Sequence, residues 1–154
     1  MSLDPNQFTE KTNETLSRAQ SLAVEKASSQ GITPLHLLSV LLDDTSGLAP
    51  RIFRKAEVDV DSLRSTVDQH VSSLPRQDPV PEEAQPSSAL LKVLRNASQL
   101  QKSSSGDTYL SLDHLLSALL NDSSVKKCMK EAKVDVGKVQ EAIKEVKGNK
   151  QATR

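Results

Sequence analysis

Two histidines stand in nearly the same surroundings. His36 opens "HLLSVLL" and His114 opens "HLLSALL", 78 residues apart. Imidazole titrates near neutral pH, so a repeated histidine could act as a general base, a metal ligand or a pH switch. Each role needs companions. A Ser-His-Asp hydrolase of the nucleophile-elbow type sets its serine on a strand-turn-helix corner, and no stretch here has that context. Structural zinc needs four closely spaced ligands; this chain has three histidines and one cysteine, Cys128, without such spacing. Nucleotide hydrolysis needs a phosphate-cradling loop of the form G-x-x-x-x-G-K-S/T. The five glycines, at 31, 47, 106, 137 and 148, are isolated and fit no such frame. The chain reads as non-enzymatic, with no cofactor or metal of its own. A structural role suits the histidine pair better, because a ring hydrogen-bonded near a helix start would recur in both copies of a repeat. His70 stands apart, on a helix predicted to leave it in water.

Composition narrows the partners. The sequence has 154 residues, of which 20 are basic and 20 acidic, and the two signs are interspersed. Nucleic-acid binders present a basic face or stripe to neutralise phosphates, and none appears, so nucleic acid is not an expected partner. Cys128 has no second cysteine to pair with, so no internal disulfide forms. The start, "MSLDPNQFTEKTNE", lacks an apolar signal core and Arg-rich transit character. The Leu-rich helices are about ten residues, roughly 15 Å, and too short to span a bilayer. The sequon matches "NET", "NAS" and "NDS" are then read as chance. A soluble, intracellular domain is expected.

The elements that position the histidines come in two copies. At the offset of 78, Thr9 aligns with Ser87, Leu16 with Leu94, Ala19 with Ala97, and Leu22 with Leu100. Past the Leu-rich segment the offset drops to 76, and "KAEVDV" from Lys55 aligns with "EAKVDV" from Glu131. The copies occupy residues 1–71 and 88–148. Between them, residues 72–87 carry four of the seven prolines, which block helix and favour an extended connector.

Each copy reads as four helices. Apolar residues at helical spacing predict a first helix over Gln7 to Ala27, matched by Ser88 to Lys102. Gly31 and Gly106 fall near their ends, where glycine permits a left-handed exit. Thr33 before Pro34 signals the N-terminus of the Leu-rich helix, and Ser111 takes the matching place. A short helix over Ala49 to Ala56 matches Val125 to Ala132, and a last one over Asp59 to Ser72 matches Asp135 to Lys147. The aspartates favour the positive end of the helix dipole. No useful strand pattern appears. The expected fold is all-α, about eight helices in two pseudo-twofold-related four-helix repeats. Only Phe8, Phe53 and Tyr109 are aromatic, so the core must be aliphatic. Leu35, Leu37, Leu38, Leu41 and Leu42 cover more than one stripe, so their helix must be nearly surrounded by protein. At about 2 kcal/mol each, such leucines make the segment the centre of its half.

Agreement between copies follows from the shared fold; disagreement marks where one copy has gained a task. Leu35 becomes Asp113, Gly31 becomes Tyr109, and Pro86 stands where the first copy has Phe8. Phe8 adjoins Thr9, and Tyr109 lies close to Asp107. Each has a bland counterpart: Thr9 as an N-cap like its twin Ser87, Asp113 as a dipole-complementing acid, and Leu100 as core like its twin Leu22. Helix-lined grooves are common binding surfaces, so both readings stay open.

The duplicated pattern resembles the N-terminal domain of the Hsp100/ClpB family of AAA+ disaggregases, the Clp N-domain fold. The stretches that carry the resemblance are "QFTEKTNETLSRAQSLA", "ITPLHLLSVLL", "SLPRQDPVP", "QPSSALLKVLRNASQLQKSSSGDTYLSLDHLLSALLNDSS" and "VKGNK", in the family's order over nearly the whole chain. The wording is closer to eukaryotic Hsp101 and Hsp104 types than to bacterial ClpB. The resemblance implies a module that binds exposed apolar segments of unfolded or aggregated polypeptides. The clients would then be threaded through a hexamer of ATPase rings. It also implies contact with those AAA+ rings, which would carry ATP and magnesium, and work alongside an Hsp70 system. The implied location is cytoplasmic, with the nucleus as a second compartment. It places the polar residues of a peptide groove on Thr9, Asp107 and Asp113, the last shortened from the glutamate common in bacterial members. The apolar positions fall on Asn96, Leu100 and His114. Asn96 and His114 replace bacterial leucines, which leaves Ala97, Leu100, Tyr109 and Leu110 to supply apolar contact. Residues 149–154 would begin the linker to the ATPase modules, which this sequence does not contain. The competing reading is a docking or spacer domain that binds a folded partner or its own ATPase ring.

Overall fold

A computed structural model describes residues 5–103 and 108–152, with side chains through residue 147. A 3-10 turn, Pro5–Gln7, precedes eight α-helices: α1 Glu10–Glu25, α2 Pro34–Asp43, α3 Leu48–Lys55, α4 Val60–Ser72, α5 Ser88–Ser103, α6 Leu112–Leu119, α7 Ser123–Glu131 and α8 Val136–Ala152. Among the described residues the architecture is all-helical, with isolated bridges in place of strands.

The helix limits follow from local chemistry. The hydroxyl of Thr9 accepts from the Thr12 N–H at 3.1 Å, so α1 starts later than its apolar pattern suggested. Asp59 and Asp122 cap α4 and α7 in the same way, through the Ser62 and Val125 amides. Glu57 and Lys133, equivalent residues after α3 and α7, both turn left-handed at φ 63° and 58°. Each turn is closed by a matched hydrogen bond, Val58 N–H to Phe53 and Val134 N–H to Met129. The exit from α1 is made by Ala27, at φ 53°, not by Gly31. Gly31 instead adopts φ 76° just before Ile32, where the chain meets the connector. Gly106 lies outside the described residues.

The halves interlock across the pseudo-twofold axis. α1 lies on α2 as α5 lies on α6, but α3 packs on α8 and α6, and α4 packs on α2 and α7. The buried side chains form one continuous cluster drawn from both copies, with Phe53 among its largest fully buried members. From Pro34 through Leu42 every residue of α2 is buried, as its broad leucine coverage requires.

Backbone pairing stitches the exchange. Phe8 bridges Leu110, and the equivalent residues Pro86 and Ile32 form the equivalent bridge. Thr9 N–H donates to Leu110 at 3.0 Å, and Ser87 N–H donates to Ile32 at 2.9 Å. The connector is further held at Ala27, whose carbonyl accepts from Gln77 N–H at 2.7 Å.

Candidate functional site

The Phe8–Leu110 bridge brings the cap of α1 to the entrance of α6. Thr9 Oγ1 lies 2.8 Å from Thr12 Oγ1, and the Thr12 hydroxyl donates to the Leu110 carbonyl at 3.1 Å. Leu110 itself is buried and donates its N–H to Gln7. Thr9 is therefore both a cap and one wall of this junction.

α5 packs along α6 and supplies the neighbouring surface. Ala97 is fully buried, Asn96 half-buried, and Leu100 is 38% exposed near the end of the described helix. Tyr109, just before the bridge residue, is 53% exposed. Val80, Leu100 and Tyr109 are the exposed large apolar side chains among the described residues. Two of the three fall on positions expected in the groove. Asp107 lies outside the described residues.

The entrance of α6 is polar. Ser111 N–H donates to His114 Nδ1 at 3.0 Å, and the Ser111 hydroxyl donates to one oxygen of Asp113. The other Asp113 oxygen is 3.4 Å from Lys147 Nζ on α8, which is also 3.2 Å from His114 Nε2. His114 is 3% exposed and Asp113 15%. The sequence reading did not single out Lys147. The signal was available: at the second-copy offset Lys147 aligns with Val71, a buried residue, so a charge replaces core.

The first copy makes the same cap without the charges. Thr33 N–H donates to His36 Nδ1 at 2.9 Å, and His36 N–H approaches the Thr33 hydroxyl at 3.4 Å. Burial pushes the His36 imidazole down to about 4, so it stays neutral and its Nδ1 remains an acceptor. Each histidine orders a helix entrance, and the hydroxyl nearest each ring, Thr33 Oγ1 at 2.8 Å from His36 Nδ1 and Ser111 Oγ at 3.1 Å from His114 Nδ1, belongs to the same capping box. No group of three His, Cys, Asp or Glu among the described residues could hold a metal. No described helix is long and apolar enough to cross a membrane.

The profile of the family described as "Clp repeat (R) N-terminal domain" matches residues 7–132. The chain belongs to this family. It is 35% identical over 147 residues to heat shock protein 104 of Schizosaccharomyces pombe, covering 93% of this chain but 16% of that protein. The Clp N-domain also matches a crystal structure of the Hsp104 N-terminal domain from Candida albicans. There the TM-score is 0.81 at 31% identity, with 92% of each chain covered. A complex of the ClpV N-domain with a VipB peptide shares the fold, with a TM-score of 0.62 at 21% identity over 81% of this chain and 80% of that one. The chain is thus an N-terminal domain of the Hsp104 and ClpB chaperone type.

Proposed function

We propose that this Clp N-domain binds exposed apolar segments of unfolded or aggregated polypeptides at the surface formed by Thr9, α5 and the entrance of α6. It would hand them to ATP-driven AAA+ rings of a full-length hexamer. The observation that carries this reading is the exposure of Leu100 on α5 and Tyr109 just ahead of α6, helices that pack together, while the other large apolar side chains among the described residues are nearly all covered. Apolar anchors flanked by polar groups suit an extended peptide that offers side chains and main-chain amides together. The chaperone names of the relatives, and the peptide held by the ClpV N-domain, support it. ATP and magnesium belong to the rings in this scheme. Affinity of a single domain is weak, because tethering six copies supplies the effective concentration. Cooperation with an Hsp70 system and a cytoplasmic site of action fit the same proposal.

The test is a titration of the isotopically labelled domain with an unfolded, apolar-rich polypeptide, followed through backbone amide shifts. Shifts are expected at Thr9, Asn96, Leu100 and from Tyr109 to His114. Silence at all of these, with a response only to a folded partner or ATPase ring, would replace this reading with the docking or spacer one.

A further inference from the structure

α1 and α5 begin with the same cap and then differ by one hydroxyl. Thr9 Oγ1 accepts the Thr12 N–H at 3.1 Å, and its twin Ser87 Oγ accepts the Leu90 N–H at 3.1 Å. Thr12 and Leu90 are themselves twins at the offset of 78, and both are buried. A leucine satisfies this place in α5, so the framework does not call for a hydroxyl there. The net gain from a buried hydrogen bond is small, because the same group gives up its bonds to water. Stability does not account for the difference.

Counting protons shows what the hydroxyl does. A carbonyl oxygen only accepts, so the 3.1 Å contact of Thr12 Oγ1 with the Leu110 carbonyl uses the single Thr12 hydroxyl proton. The 2.8 Å contact between the two hydroxyls must then be donated by Thr9. The Thr9 proton is committed in turn, and one of the two Thr9 Oγ1 lone pairs holds the Thr12 N–H. What Thr9 Oγ1 still has to offer is one lone pair and no proton. The Leu110 carbonyl is filled as well, because it also accepts the Thr9 N–H at 3.0 Å. In the other copy the Ile32 carbonyl takes the Ser87 N–H, and Leu90 has no oxygen with which to engage either group.

We propose that Thr12 is a positioning residue that fixes Thr9 as an obligate acceptor, so that this wall of the groove takes a main-chain N–H of an extended client. Thr12 is buried and acts only through Thr9. The contact is blind to client side chains, yet it sets a register: the client residue that meets Thr9 must carry an N–H, which excludes proline there. A client carbonyl at the same point would set two lone pairs against each other. This inference rests on the client-binding reading above and deepens it by naming the client atom that Thr9 receives.

The experiment uses a short, uncharged, end-capped peptide rich in leucine and glutamine, and copies in which one backbone amide at a time is replaced by an ester. An ester keeps the shape of the amide but puts an oxygen where the N–H was. Affinities are compared by amide-shift titration of the native domain, Thr12→Val and Thr12→Ser. In the native domain one ester position should cost about tenfold, combining a lost hydrogen bond with two oxygens face to face. In Thr12→Val the Thr9 hydroxyl is free to turn its proton toward the ester, and the cost at that position should fall to about twofold. Thr12→Ser keeps the donor and should keep the tenfold cost. A purely structural role for Thr12 would weaken every peptide alike and leave these ratios unmoved. A second measurement needs no variant: the hydroxyl protons of Thr9 and Thr12 in the native domain should exchange with water slowly enough to give their own NMR signals. A native domain in which no ester position stands out, a Thr12→Val variant that keeps the native ratio, or a freely exchanging Thr9 hydroxyl would each overturn the proposal. No shift at Leu100 or from Tyr109 to His114 with the all-amide peptide would instead defeat the underlying client-binding reading.

Discussion

The carbonyl oxygen of Gln85 closes the space over Gly31, so that a β carbon there would stand 2.1 Å from it. That oxygen also accepts the Ile32 N–H at 2.9 Å, and Gly31 sits at φ 76°. Gly31→Ala must therefore strain a left-handed residue and push the connector away from α2. We expect a loss of about 2–4 kcal/mol, combining backbone strain with a broken bridge. Thermal unfolding followed by circular dichroism should show a transition roughly 5–15 °C lower, given the size of the chain. An unchanged transition would mean that the Ile32–Pro86 bridge contributes little.

His36 makes stability depend on pH with a defined sign. Its native value is about 4 against an ordinary 6.5, so between those values the unfolded chain binds a proton that the native chain refuses. Its contribution is complete above pH ~6.5 and disappears progressively as pH falls toward ~4, by an amount on the order of 3 kcal/mol. Urea midpoints measured across that range should fall on acidification. His36→Asn, which cannot titrate, should flatten the decline even if it lowers the starting stability. An equally steep decline in that variant would assign the acid sensitivity to other groups.

The helices were legible from local signals: 3.6-residue periodicity, a hydroxyl or carboxylate at most caps, Pro34 in the first turn of α2, and the proline-rich connector outside them. Thr33, Asp59 and Ser111 all stand where those rules put them. What local patterns do not encode is which helices meet. The broad leucine coverage of α2 and α6 demanded neighbours on several sides but named none of them. Nothing in α3 announces that Ile52 and Phe53 lie in a core shared with α8. Within the site, Thr9, Leu100, Tyr109 and Asp113 were reached by comparing copies or by family resemblance. Lys147 was matched only as the end of the last helix, where a lysine ordinarily reads as a favourable dipole partner.

Cys128 should be inert while the domain is folded. It is fully buried, and burial, followed by the nearby Glu131 charge, pushes the thiol up to about 11. The thiolate is the reacting form, so both access and ionisation are withheld in the native state. An aromatic disulfide reagent at neutral pH should label it only as fast as the protein opens, and denaturant should accelerate labelling with the global unfolding transition. Prompt stoichiometric labelling of the native domain would contradict this burial.

The exchange of helices across the axis predicts that neither copy folds alone. Cut between residues 74 and 75, the first fragment keeps α1 to α4, but α3 loses α8 and α6, and α4 loses α7. Ile52 and Phe53 belong to the core shared with the missing copy, and losing that burial removes roughly 2 kcal/mol or more for each such side chain. A fragment of this size already buries a smaller share of its surface and has little reserve. Each fragment alone should therefore show weak helical dichroism and no cooperative melting. Mixed at equal concentration, the two should recover the helical signal, because the Phe8–Leu110 and Ile32–Pro86 pairings join one fragment to the other. The recovered transition should move to higher temperature as concentration rises, as for any two-chain complex. Cooperative, concentration-independent melting of residues 1–74 alone would show that the copies are separable domains.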